Sequence, residues 1–240
     1  SIFYLGLTIA ALFCTWFFRK FSDRRVVDTI GLKWQNVGAS LAKGGLWAIG
    51  LQTIVLILLL IVGMLSVEVD NFDGAELAGF FLFFVLVAIN EEVIFRGYIT
   101  SLLAFTIHFL PAIIVSSLLF AAVHIGNADF TWMGFGSIFF GGYLLGLLYL
   151  KYQNLYLPIG MHLFWNFYQG NILGFDVSGM AIPSLVKLKM DGLDWVTGGE
   201  FGLEGSIITV VLLLVVSVFL TWKWYEELGA NQKAAKLAQA

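Results

Sequence analysis

Seven apolar runs, at about residues 2–18, 46–66, 77–97, 111–126, 131–150, 155–173 and 206–222, decide which solvent this 240-residue chain can fold in. A helix crossing the ~30 Å hydrocarbon core needs about 20 predominantly apolar residues, and the runs are of that order. The expected fold is therefore all-α, a polytopic helical membrane protein with about seven transmembrane helices. Between the third and fourth runs, "YITSLLAFTIHFL" is short for a crossing and ends before Pro111. It suits an interfacial or re-entrant helix, which would bring the count to eight. Only 12% of residues are charged, against roughly 25% in an ordinary soluble domain, and the mean hydropathy is +0.90. A net charge of −3 without a basic stripe excludes an electrostatic footprint for nucleic acid. The expected partners are membrane lipid and whatever substrate enters the bilayer. Cys14 is the only cysteine, so there is no disulfide framework and no CxxC metal pair.

Charge asymmetry orients the runs. Segment 19–43 holds Arg19, Lys20, Arg24, Arg25, Lys33 and Lys43, whereas "VEVDNFDGAE" at 67–76 is acidic. The positive-inside rule then places 19–43 in the cytoplasm and the N-terminus outside. Carried along the chain, this puts "GNADFTW" outside, "KYQN" inside, 174–205 outside and the segment after Lys223 inside. The basic cluster follows the first apolar run, the reverse of a secretory signal peptide, so that run reads as a membrane helix. Segment 174–205, rich in Gly and Asp, reads as an extramembrane loop with a short surface helix. No repeat or linker divides the chain, and 1–240 is expected to be one integral membrane domain.

Ionisable groups inside apolar spans are costly and by default mark a functional site. Glu92 and Arg96 are four residues apart and share a helical face, so they can neutralise each other. Glu91 is rotated about 100° away and is not easily served by the same arginine. A carboxylate so placed can act as a general base, and an ion cluster of both acids with Arg96 is the plainer alternative. His162 and Asn166 in "MHLFWNFYQG" share a face and can donate to one small target; a helix-packing pair is the alternative. His124 closes "SSLLFAAVH", where an interfacial role competes with a catalytic one. Gln52 reads as an interhelical hydrogen bond and His108 as structural. Together, two carboxylates, two histidines, an asparagine and an arginine supply what is needed to activate water and hold an oxyanion. No HExxH, no GxSxG elbow and no pair of intramembrane aspartates is present.

Three motifs, EExxxR at Glu91, Glu92 and Arg96, FxxxH at Phe120 and His124, and HxxxN at His162 and Asn166, occur in that order. Across about residues 80–170 the chain resembles the CAAX-protease and bacteriocin-processing (CPBP, or Abi) intramembrane proteases. The resemblance implies an intramembrane endopeptidase acting on membrane-anchored peptides. Glu91 and His124 would activate water, His162 and Asn166 would hold the oxyanion, and Glu92 and Arg96 would support them, with no cofactor. A zinc enzyme with Glu92, His124 and His162 as ligands is the rival mechanism. A bacteriocin-immunity or scaffold protein and a proton-coupled transporter are the alternatives in function. The expected setting is the plasma membrane of a prokaryote, with the site open to the cytoplasmic half. One mismatch stands: at ~1.5 Å per residue, Glu91 and His162 lie about 9 and 10 Å from the cytoplasmic ends of their spans, whereas His124 falls nearer the outside.

Overall fold

The computed structural model describes residues 2–32, 34–69 and 73–237. Lys33 and residues 70–72, which enter the charge pattern above, lie outside the described residues. Each apolar run is helical. The helices are α1 (Ile2–Phe17), α2 (Val37–Ile61), α3 (Gly74–Glu92), α4 (Ser101–Thr106), α5 (Phe109–Val123), α6 (Trp132–Tyr152), α7 (Tyr156–Phe167), the single turn α8 (Asp194–Thr197) and α9 (Ile207–Leu237). π-helical turns extend α1 over Phe18–Ser22 and α7 over Tyr168–Ile172. Among the described residues, four helices are long and apolar enough to cross a membrane: Val37–Ile61, Gly74–Thr106, Trp132–Tyr152 and Ile207–Asn231. The protein is an all-α membrane protein, but the count of seven to eight crossings is not reached on length and composition. α1, α5 and α7, at 16, 15 and 12 residues, are shorter than a full span.

The largest departure from expectation lies at 98–110. This segment is no separate interfacial helix. α3 starts on Asp73, whose side chain accepts from Ala75 N at 2.8 Å, and runs on through a π-helical stretch, Val93–Thr100, into α4. A π turn leaves carbonyls without regular partners, and hydroxyls supply them here. Thr100 Oγ1 donates to Phe95 O at 2.7 Å, and Ser116 Oγ donates to the same oxygen at 3.2 Å from α5. The chain turns only at Ile107 and His108, and Pro111 sits in the first turn of α5, where its missing N–H costs nothing. α5 therefore starts at Phe109, two residues before the run expected from 111, and climbs back beside the Val93–Thr100 stretch. That places His124, at its end, level with Glu91 and resolves the mismatch in depth.

α6 lies at the centre, with Leu144, Leu147, Leu148 and Tyr149 buried against α5, α7 and α9. α2 clamps α7 through two glycines. A Cβ on Gly44 would overlap Leu157 O, and one on Gly160 would overlap Leu41 O, so the helices meet backbone to backbone. Gln52 Nε2 completes the contact by donating to Trp165 O at 2.9 Å.

Segment 174–205 is more than a surface loop. β2 (Val186–Met190) pairs antiparallel with β1 (Leu65–Val69), from Leu65↔Met190 to Val69↔Val186, a small sheet that the all-α expectation lacks. α8 is the short helix anticipated there, but Phe175, Phe201 and Leu203 are buried in the helical core. Gly179, at φ +82, lets the strap turn against Ala128 O, which a Cβ would overlap.

Candidate active site

Glu92 and Arg96 form the floor. With the helix periodicity at the start of the π stretch they stay on one face, Arg96 Nη1 donating to Glu92 Oε1 at 2.8 Å, and both are fully buried. Arg96 Nη2 donates to Gly142 O at 3.1 Å, and its guanidinium lies 4.2 Å from the centre of the Phe120 ring. Gly142 makes this possible, because a Cβ there would press on both Phe120 and Arg96. A second donor reaches Glu92 Oε1: His162 Nδ1 from α7, at 2.8 Å. The charge of Glu92 is thus held at Oε1 by an arginine and a histidine, and such paired, hydrogen-bonded contacts are what a buried ion pair needs.

Glu91 faces elsewhere. Its carboxylate is a quarter exposed, and Oε2 has no hydrogen-bond partner. Two imidazole nitrogens face that oxygen, His124 Nε2 at 4.0 Å and His162 Nε2 at 3.9 Å. Both distances exceed a direct hydrogen bond and match a span bridged by one small oxygen species. His124 Nδ1 lies 2.7 Å from Phe120 O, a carbonyl that can only accept, so Nδ1 carries a proton and, in the neutral form of the ring, the lone pair is at Nε2. The edge of the Phe120 ring also meets His124 and His162, with centroids 4.9 and 6.0 Å apart.

These groups line one cavity of about 650 Å³. Asn166, one turn beyond His162 on α7, reaches the same wall, and Tyr4 of α1 closes another side. Asn166, His162, His124 and Glu91 are thus brought together, with Glu92 and Arg96 behind them. His108 stands apart, its Nδ1 accepting from Leu110 N at 3.3 Å at the start of α5.

Of the three residues expected as zinc ligands in the rival mechanism, Glu92 and His162 bond each other and His124 faces Glu91. Glu92 Oε1 is taken by Arg96 and by His162 Nδ1, whereas His124 offers its free nitrogen to Glu91. Among the described residues no three His, Cys, Asp or Glu side chains are arranged to hold a metal ion.

Glu204 is not among the residues that the sequence singles out. It is buried in the cavity wall, where Oε1 accepts from Trp165 Nε1 at 3.1 Å and Oε2 from Ser178 N at 2.9 Å and Ser178 Oγ at 2.6 Å. Ser137 of α6 donates to its backbone oxygen. The only signal in the sequence is an acid between glycines, "GLEGS", immediately before the last apolar run.

Residues 73–168 match the family described as type II CAAX prenyl endopeptidase Rce1-like. This is a peptidase family, and it agrees with the resemblance drawn from the three motifs. The Rce1-like region runs from the cap of α3 to the end of α7, so it contains Glu91, Glu92, Arg96, His124, His162 and Asn166 but not Glu204. No curated protein and no solved structure shows a significant match.

The site also corrects an expectation about access. Asn127, Ala128 and Ser178 to Ala181 line the cavity, and all belong to segments that the charge pattern puts outside. The basic segment lies at the other end of the bundle. There Arg19 donates to Gly97 O at 3.1 Å and also to Ser101 Oγ, and Lys43 covers the Tyr152 ring. A cytoplasmic 19–43 segment and a site open to the cytoplasmic half are therefore incompatible.

Proposed function

We propose that the protein is an intramembrane endopeptidase of the glutamate type, cleaving a peptide bond of a membrane-anchored substrate. The observation that carries this is Glu91 Oε2, unbonded, about 4 Å from the Nε2 atoms of both His124 and His162. A water between Glu91 and His124 can donate one hydrogen bond to each acceptor, which leaves its lone pair directed at a carbonyl carbon. As the water oxygen bonds to that carbon, Glu91 takes a proton. The carbonyl oxygen becomes an oxyanion, and His162 and Asn166 are placed to receive it. With Nδ1–H donated to Glu92, His162 carries a proton on Nε2 only as the imidazolium, which is the donating form. Glu92 supplies the counter-charge. The proton on Glu91 then passes to the leaving amine nitrogen as the C–N bond breaks, restoring the carboxylate.

The positive-inside rule gives the orientation, with Arg19, Lys20, Arg24, Arg25 and Lys43 in the cytoplasm and the cavity facing the other side. The family description implies a CAAX-type substrate, and a membrane-anchored leader or regulator peptide fits the same site. The test is cleavage of lipid-anchored peptides by protein purified into lipid nanodiscs, with Glu91→Gln alongside. Turnover by the parent protein, its loss in Glu91→Gln with an unchanged melting profile, and its survival of exhaustive chelation are expected. Normal turnover by Glu91→Gln would remove the base from the scheme. Loss on chelation with recovery on added zinc would replace the metal-free route.

A further inference from the structure

The outer face of α2 differs from that of α9. On α9, Val211, Leu214, Val215, Val218 and Phe219 are exposed along a stretch without glycine. On α2, Lys43, Leu46, Trp47, Gly50, Leu51 and Ile54 recur at helical spacing and line a groove of about 340 Å³. Gly50 opens it. A Cβ there meets nothing within 4 Å, whereas one on Gly44, turned toward α7, overlaps Leu157 O. Leu46 and Ile54 stand exposed beside the gap, and buried Leu51 lies beneath it. From Lys43 to Ile54, at ~1.5 Å per residue, the groove runs about 16 Å, roughly half of the ~30 Å hydrocarbon core. It therefore has the depth of one leaflet. Charge sits at one end only. Lys43 is exposed, its ammonium 4.2 Å from the centre of the Tyr152 ring, and among the described residues it forms no ion pair. The other cation at that ring, Lys151, is already bound to Glu227 at 2.8 Å.

We infer that this groove binds an anionic phospholipid of the cytoplasmic leaflet, with the headgroup phosphate on Lys43 and one acyl chain lying over Gly50 between Leu46 and Ile54. A lysine on an apolar helix carries its ammonium out to the headgroup level, where the cytoplasmic leaflet is negatively charged. Trp47 follows one turn deeper, the interfacial position that an indole favours. An acyl chain filling the groove gains contacts on several sides, and an unfilled gap forfeits them. A zwitterionic lipid offers the same chain and phosphate, but its own cation opposes Lys43. Groove and cavity share no lining residue, so the lipid site stands apart from the proposed peptide hydrolysis. Gly44, next to Lys43, is where α2 meets α7 backbone to backbone. A lipid bound only to the folded protein stabilises that helix pair.

The experiment places the protein in phosphatidylcholine nanodiscs with a trace of photoreactive phosphatidylglycerol or phosphatidylcholine, the reactive group on one acyl chain. Cross-linked peptides are located by mass spectrometry. Phosphatidylglycerol should label residues 46–54 about fivefold more than phosphatidylcholine does, the order expected from one lysine near the membrane surface. Lys43→Gln should bring the two lipids to equal labelling. Gly50→Leu should remove the labelling at 46–54 by both lipids, because its side chain enters the open space that the acyl chain would occupy. Replacing the bulk lipid with phosphatidylglycerol should raise the melting temperature of the parent more than that of Lys43→Gln. Should Gly50→Leu not fold, Lys43→Gln, changed at an exposed side chain, carries the comparison alone. Equal labelling of the parent by the two lipids, labelling spread evenly over α2 and the outer face of α9, or a lipid preference untouched by Lys43→Gln would each overturn the site and leave ordinary boundary lipid. An equal rise in melting temperature for both proteins would do the same.

Discussion

Glu92 and His162, seventy positions apart, meet at 2.8 Å between Oε1 and Nδ1, so the histidine at the cavity is held by its far nitrogen. A carboxylate in that position fixes the ring and its proton without touching the substrate. Glu92→Gln should lower kcat roughly 10- to 100-fold, by analogy with the loss of a carboxylate that orients a metal-bound histidine. KM should change little. Steady-state kinetics check this, and a change confined to KM would mean that His162 acts in binding alone.

Asn166 shares the wall with His162 one helical turn on. If both receive the oxyanion, Asn166→Ala should cost on the order of 10²–10³ in kcat with nearly unchanged substrate affinity. An Asn166→Ala enzyme within a factor of a few of the parent would leave the oxyanion to His162 and some other donor.

Arg96 is the other neighbour of Glu92, and it is also stacked on Phe120. Arg96→Ala should destabilise the protein by about 3–5 kcal/mol, the usual cost of leaving one partner of a buried ion pair alone. Arg96→Lys should fall between, keeping a charge but losing the fork that also reaches Gly142 O. Detergent-resistant melting temperatures provide the comparison, and equal melting of all three proteins would mean that the pair carries no net stability.

Two cysteines, placed in a Cys14-free background at Ser22 and Asp129, sit at opposite ends of the bundle. An impermeant maleimide added to intact cells should label position 129 and leave 22 untouched. Labelling of both from one side contradicts the fold's own polarity, and labelling of 22 alone inverts it.

Asp176 should make stability fall as pH rises. Burial first, then Glu200 and Asp129, hold its carboxyl above the ordinary carboxylate range. The folded protein therefore keeps a proton that the unfolded chain has already released, and this favourable term is lost between the unfolded and the folded pKa. Asp176→Asn should raise stability at neutral pH and bring no gain below the ordinary carboxylate range. Melting curves across pH 3 to pH 8 would show it; a gain independent of pH would place the effect elsewhere than in titration.

Local spacing was readable from the letters. Glu92 with Arg96, and His162 with Asn166, lie on common faces because four residues are nearly one helical turn. Depth was not readable. The level of His124 depends on a helix that runs past 98 to Thr106, and the π turn that carries it is stabilised by hydroxyls at Thr100 and Ser116, which look unremarkable in an apolar run. The pairing of β1 with β2 joins segments more than a hundred residues apart, and Glu204 enters the wall only because the strap folds back over α6 and α7. Non-local contacts of this kind leave no periodic trace in a single chain.

The backbone contact between Gly44 and Gly160 gives α2, which contributes no reacting group, control over the chemistry. Gly160 is two residues before His162, and the helices there are already at the limit of approach. Any side chain at Gly44 acts as a wedge, levering the first turn of α7 outward and carrying both proposed oxyanion donors with it. Loss of activity from a change at Gly44 would thus report a misaligned tool, with every working part still intact.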